Sequence, residues 1–556
     1  MNARRSTKRS GVLIGAAAAL TLAAGSGFGS QFAPPPPTDP NAADPWSLLG
    51  SFPPGVDAAA VLDAPGERLF TDPAARTVRA ALARTGMFSQ TVRAWSGLAA
   101  ALGYTEDEAA AALLGRRVIV AWDGLMDHAG GLGGALVTAN RLDTRWVFIA
   151  EVDKQTALAL RARLKAAPRR TVAGKVIYTV DAGRIAMAVA EDAAGTRVLI
   201  APVGATGLLD AMLTGPAANA EPAPDPAASG TPPGSDLGTR ARAVLGNVEP
   251  GWAGVAAVRV PGSERPAAFE LRSAKGAWGA RFASEVPFSG PESSGPGAPV
   301  GVLAAAGGDA LFAAAFSGGP GLSDGTLDVR MRIGEPPDTP ADPDPDPDPL
   351  RYDRGSVVVL HAAEAGRTPD ATVAAVLQVI THAASSRPFA ERVDRLISAA
   401  IGGENPPAHR GLFPGAVRSH AIDAVLTSGT DETPDPGLWP GDGARVAWSM
   451  APDPADRSGV VSIAVGSSGS DPDALARKGR EAWERGADDF DPTMLTAGRA
   501  RPAALAEALK GSAGGPLMDL ARSVDRIEWT VRSVQGLTRG EVLFRLADPA
   551  SRLGAP

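Results

Sequence analysis

The chain has 556 residues and no cysteine. Thiolate zinc sites, iron–sulfur clusters, thiol-linked haem and thiol nucleophiles are therefore excluded. Disulfides are excluded with them, and a chain this long buries enough core to do without. The sequence also has no G-x-x-x-x-G-K-[ST], no S-x-x-K and no H-E-x-x-H. P-loop nucleotide hydrolysis, penicillin-binding chemistry and zincin chemistry lack their motifs. Beyond the first thirty residues no segment is long and apolar enough to span a bilayer.

What is present begins with a leader. Arg4, Arg5, Lys8 and Arg9 precede an apolar run from Val12 to Ala24, and Gly25, Ser26, Gly27, Gly29 and Ser30 follow. That order is the layout of a secretory signal peptide. The apolar run has 13 residues, against roughly 20 for a spanning helix. A cleaved signal is expected; an uncleaved anchor is the alternative. Ser6-Thr7 stands where a twin-arginine signal carries an apolar pair. The expected address is the periplasm or cell envelope.

The formal net charge is −7, and removal of the four basic leader residues takes it to about −11. An acidic surface repels nucleic acid and anionic lipid, so neither is expected as a partner. Arg outnumbers Lys, and Ala, Gly and Pro abound. This reads as GC-rich coding rather than Arg-based recognition.

Low-complexity stretches divide the rest. Residues 1–30 are the leader and 31–55 a proline-rich spacer containing Pro34 to Pro37. Residues 56–215 are expected to form a first α+β domain, 216–236 a Pro/Ala linker, and 237–550 a second α+β region. The Asp-Pro run at 335–349 is a loop of that region or a boundary inside it.

The first region is expected to start with helices. Asp72-Pro73 reads as a helix start, with Val78 and Leu82 on one face. Val92, Trp95, Ala99 and Leu102 follow with helical spacing. Thr105-x-x-Glu108 is a capping box, and Gly115 a left-handed helix end. Strands are expected at 118–122 and 146–150, a helix capped by Asp153, then strands at 176–180, 185–190 and 198–203 with turns at Gly183 and Gly195. Turns that short join antiparallel neighbours. A helix through Leu208, Leu209 and Met212 closes the unit.

In the second region 252–260 is expected as a strand and 269–272 with 278–282 as a hairpin. A strand at 357–360 precedes a helix with Val373, Val376, Leu377 and Ile380 on one stripe, and Pro388 opens a partner helix. Strands 446–450 and 460–465 pair, and Asp471-Pro472 opens a helix through Leu475 and Trp483. Ile527, Trp529 and Val531, then Val542, Phe544 and Leu546, alternate as a half-buried hairpin. The fold class is α+β: antiparallel sheets with packed helices in several domains. Residues 146–165, 357–380 and 460–483 each read strand, link, helix, which suggests internal duplication.

Candidate chemistry is sparse. Gly321-Leu-Ser323-Asp-Gly325 matches G-x-S-x-G, but Gly318, Gly319 and Pro320 interrupt its approach and a strand pattern follows, so it reads as a hairpin loop. The histidines are His128, His361, His382, His409 and His420; none makes a compact metal pair. His361-x-x-Glu364 lies at a strand end, His382 on the polar side of the expected helix, and His420-x-x-Asp423 pairs only on a helix. Asp342 to Pro349 lacks the turn glycine of a calcium loop. Asp123, Asp127 and His128 beside Gly130-Gly-Leu-Gly-Gly134 are the most site-like patch. Those glycines lack dinucleotide-cradle spacing, and a polar connecting loop is the simpler reading. Ten tryptophans read mainly as core anchors.

Leu113-Leu-Gly115-Arg-Arg-Val-Ile-Val120 and Arg501-Pro-Ala-Ala-Leu505, with the order of elements over 56–550, resemble a group of large exported bacterial proteins of unknown function built from α+β units. The resemblance implies an envelope location and no activity or site residues. The sequence thus predicts an exported binding or scaffold protein with no catalytic, cofactor or metal residues. It requires no cofactor, and its partner is a protein or envelope component. A hydrolase with a dispersed site and a carbohydrate binder using exposed Trp are the alternatives.

Overall fold

The computed structural model describes residues 44–49, 52–53, 56–66, 77–78, 80, 89–125, 145–192, 195–214, 237–249, 252–274, 277–285, 297–306, 310–317, 352–362, 375–383, 417–422, 444–452, 459–467, 472–486, 489–508 and 516–547. The leader, Pro34 to Pro37, residues 216–236 and 335–349, Asp72-Pro73, the G-x-S-x-G string and the helix opened by Pro388 lie outside them, whereas residues 44–49 and 52–53 of the expected spacer are described. Contacts divide the chain into two compact units, with breaks after Phe288 and after Gln535.

The first unit opens with helix α1 (Pro45–Leu48) and strand β1 (Val56–Leu62). The expected helical start of the region from residue 56 is thus corrected: the Ala-rich strand β1 precedes the expected helices. Helices α2 (Ser89–Ala101) and α3 (Glu106–Leu114) follow. Thr105 and Glu108 form the predicted capping box, satisfying each other's backbone N–H. Gly115 ends α3 at φ −70°, in the right-handed region rather than the expected left-handed one. The chain turns directly into β2 (Val118–Asp123); β3 (Arg145–Val152) is its antiparallel partner.

Asp153 caps α4 (Lys154–Leu164) as predicted, accepting from the Thr156 N–H at 2.7 Å. Four strands follow: β4 (Arg169–Val172), β5 (Lys175–Val180), β6 (Ile185–Asp192) and β7 (Gly195–Pro202). Then come α5 (Thr206–Thr214), α6 (Leu237–Leu245), β8 (Trp252–Val258), β9 (Ala267–Ala274) and β10 (Ala277–Ser284).

The ladder runs β4-β5-β6-β7-β3-β2-β1-β8-β9-β10, antiparallel at every step. β1 pairs with β8, Ala58 opposite Val258, so this sheet continues across the 216–236 stretch. Helices cover both faces, because strand side chains alternate. On one face Val147, Ile149, Ala186 and Ala188 pack with Trp46, Leu209 and Val244 of α1, α5 and α6. On the other Ala150, Val152, Ile185 and Met187 pack with Leu98, Leu113 and Leu160 of α2, α3 and α4.

The second unit contains α7 (Val300–Ala306), β11 (Phe312–Phe316), β12 (Tyr352–Ala362), β13 (Ala375–Ala383), β14 (Val417–Ile422), β15 (Ala444–Pro452), β16 (Gly459–Ser467), α8 (Pro472–Gly486), β17 (Met494–Ala500), α9 (Pro502–Ala508), α10 (Pro516–Arg522) and β18 (Val524–Val534). Its order is β18-β17-β11-β12-β13-β16-β15-β14, again antiparallel throughout. Val302 of α7 and Trp483 of α8 close over Ala313, Val357, Val359 and Ile380.

Here the sequence reading needs its main correction. Residues 375–383 form a central strand, not a helix: Leu377 stands opposite both Leu360 and Val465. Val376-Leu377 and Val379-Ile380 recur three residues apart, which imitates helical spacing. The strand-link-helix unit therefore exists at 146–165 and 460–483 but not at 357–380. Strand β19 (Leu537–Leu546) belongs to the first unit and pairs with β10. The fold class is α+β with large antiparallel sheets.

Candidate interaction surface

The expected acid–imidazole patch is represented by one residue. Asp123 ends β2 and is held by Arg145 at 2.7 Å, its cross-strand neighbour; Asp127, His128 and the glycine run lie outside the described residues. His361 lies in β12, His382 in β13 and His420 in β14. His382 thus sits on a strand rather than on a helix. His420 is likewise on a strand, and Asp423 lies outside the described residues. His409 lies outside the described residues, among which no group of three or more His, Asp or Glu is placed to hold a metal. No helix among them is long and apolar enough to cross a membrane. Of the tryptophans, Trp46, Trp278 and Trp483 are buried, and Trp95, Trp122, Trp146, Trp252 and Trp529 are half-buried.

Among the described residues the most deeply buried charge is Glu270 on β9, with no solvent exposure. Arg281 of β10 stands opposite it and donates through Nε at 3.0 Å and through Nη2. Arg281 also reaches Glu249 at 2.8 Å and the Asn247 carbonyl at 3.1 Å. Arg272 binds Glu249, whose N–H donates to Glu270 at 3.1 Å. Burial pushes the Glu270 carboxyl above its ordinary value of 4.5, against the opposing pull of Arg281. Two guanidinium groups and two carboxylates thus meet with matched charge, and they tie the 247–249 turn to the sheet. All four groups are engaged with one another, which is a structural arrangement rather than a reactive one.

Two cavities open on the first unit. One, about 430 Å³, is lined in part by Ala167, Pro168, Asp181 and Gly183. The other, about 240 Å³, lies where α3 runs into β2, between Gly115, Arg116, Glu151 and Asp153.

Beside the first cavity stands the one strongly single-signed surface that α4, β4 and β5 build. From residue 154 to 180 the chain carries Lys154, Arg161, Arg163, Lys165, Arg169, Arg170 and Lys175, and no Asp or Glu. The fold employs three of them. Arg161 pairs with Glu191 at 2.8 Å. Arg170 grips Asp210 of α5 with two bonds, 2.6 and 3.0 Å. Arg163 donates to the Leu102 and Gly103 carbonyls at 2.8 and 2.7 Å and covers the Tyr104 ring at 4.1 Å. Lys154, Lys165 and Arg169 are exposed and Lys175 half-buried; among the described residues these four have no acidic partner. Leu158, 63 % exposed, lies on α4 one helical turn after Lys154.

This surface was not singled out from the sequence. The signal was a run of 27 residues without a carboxylate in an acidic chain, hidden because it straddles a helix and a hairpin.

No protein family matches the chain, and no curated protein matches it. Two solved structures are weakly similar, "Structure of crystal form III of TP0453" and "Structure of crystal form I of TP0453". They share 8 % and 7 % identity, each with a TM-score of 0.22, over 45 % of this chain and 83 % and 82 % of theirs. Agreement at that level carries no argument.

Proposed function

We propose that this chain is a non-catalytic binding protein of the cell envelope, exported by its leader, and that its partner docks on the α4–β4–β5 surface. The observation that carries the reading is the charge segregation there: Lys154, Lys165, Arg169 and Lys175 have no acidic partner among the described residues in a chain of net charge −7, and Leu158 of α4 is exposed. A local field of sign opposite to the whole steers an acidic partner to one place. The leader supports the address.

The test replaces Leu158 with the photocrosslinker p-benzoylphenylalanine in the full chain expressed with its leader. Val203, the other exposed large apolar residue among the described residues, is replaced likewise as a control. The expected result is a discrete adduct in the envelope fraction from position 158, none from 203, and its loss in Lys165→Glu/Arg169→Glu. Absence of any adduct from 158 overturns the reading. So does turnover in a hydrolase panel that Asp127→Ala or His128→Ala abolishes.

A further inference from the structure

Strand β4 ends its sheet: β5 pairs on one side, and among the described residues no strand pairs on the other. The register says which backbone groups face outward. β4 and β5 are joined by Ala173 and Gly174, with φ +48° and +75°, a two-residue turn of the I′ type. In such a hairpin the closing pair, Val172 with Lys175, exchanges both hydrogen bonds, and the pattern then alternates. Arg170 with Ile177 is the next bonded pair, and the Thr179 N–H donates to Pro168 at 2.8 Å. The N–H and C=O of Arg169 and Thr171 therefore point away from the sheet. Both residues are exposed.

We infer that this edge accepts an extended acidic peptide segment of another protein as an added strand. The inference rests on the proposed binding role and names the partner's chemistry. An open edge supplies main-chain hydrogen bonds, and neighbouring side chains supply specificity. Here Arg169 lies on the edge strand itself, Lys175 stands across the turn from Val172 and Lys165 precedes the strand by four residues, with no carboxylate from 154 to 180. A short basic edge repels a second copy of itself, because two β4 strands bring like charges together. The same charges attract a strand of opposite sign. The Arg170–Asp210 pair fixes β4 against α5, so the edge is set before a partner arrives.

The probe is a fluorescein-labelled peptide, Asp-Thr-Glu-Val-Asp-Thr-Glu-Val, titrated against the full chain by fluorescence anisotropy. Thr171→Pro removes one outward donor without touching the bonds to β5 and without changing charge. Binding about tenfold weaker is expected in Thr171→Pro, in Arg169→Glu/Lys175→Glu, and for the peptide N-methylated at alternate residues. Circular dichroism melts establish that each variant is folded. Equal binding by Thr171→Pro or by the N-methylated peptide overturns strand addition. If inorganic polyphosphate then competes as well as the peptide, the surface is a polyanion site and the binding role stands without the edge. Self-association that Thr171→Pro abolishes makes the occupant a second copy and also overturns the inference. A peptide that fails to bind the wild type overturns the inference too. The adduct at position 158 judges the binding role separately.

Discussion

Arg281 and Glu270 face each other directly across β9 and β10, and Glu270 is wholly shielded from solvent. A carboxylate there is tolerable only because Arg281 and the Glu249 N–H satisfy it. Glu270→Ala leaves two guanidinium groups with half their partners. It is expected to cost about 3–5 kcal/mol, read by urea unfolding. A loss below about 1 kcal/mol means that the network does not hold the 247–249 turn.

The pH dependence of stability carries two signs. Burial raises the Glu270 carboxyl above 4.5, so the folded state holds a proton that the unfolded state has released. Its contribution falls as pH rises from 4.5 through the folded value. The Ser263 hydroxyl holds Glu285 below 4.5, and the Thr493 hydroxyl holds Asp491 below 3.8. Their contributions are present above those ordinary values and are lost as pH falls through the folded ones. Thermal melts between about pH 3 and 7 should show Glu270→Gln losing the first slope and Glu285→Gln part of the second. Parallel wild-type and Glu270→Gln curves contradict the assignment.

Gly498 on β17 faces Trp529 on β18. A Cβ added there falls 2.3 Å from the indole and 2.7 Å from the Ala313 carbonyl oxygen. The carbonyl cannot move without disturbing the β11–β17 ladder. Gly498→Ala is therefore expected to cost about 1–3 kcal/mol. An unchanged denaturation midpoint means that the sheet yields at this position.

Ala173 occupies a left-handed conformation that costs an L-residue with a Cβ about 1 kcal/mol and that Asn adopts readily. Ala173→Asn creates Asn-Gly at the β4–β5 turn. A stabilisation of about 0.5–1 kcal/mol is expected in urea unfolding, together with tighter peptide binding through a better-defined edge. A destabilised variant contradicts the turn type.

Legibility in the sequence followed local physics. The Thr105–Glu108 box and the Asp153 cap were readable because each depends on near neighbours, whereas in β19 the adjacent Leu543 and Phe544 are both buried, so the expected strict alternation does not hold. Strands Val56–Leu62 and Phe312–Phe316 were not, because Ala fills their centres and lacks the β-branched signature. Residues 375–383 misled because the apolar pairs Val376-Leu377 and Val379-Ile380 recur three residues apart, a spacing that a helix also shows. The interaction surface was hidden differently. Arginine abundance was attributed to coding bias over the whole chain, which masked the local lack of carboxylates between Lys154 and Val180. That Arg169 and Thr171 turn their backbone groups outward at a free strand edge follows from the hairpin register, which no composition reveals.

Amide hydrogen exchange on β4 tests the central claim most directly. In the free protein the Arg170 and Val172 amides should be protected and those of Arg169 and Thr171 fast. Saturation with the acidic peptide should slow Arg169 and Thr171 by about tenfold or more while leaving the β18 amides unchanged. Fast exchange at Arg169 and Thr171 in the saturated complex contradicts the account.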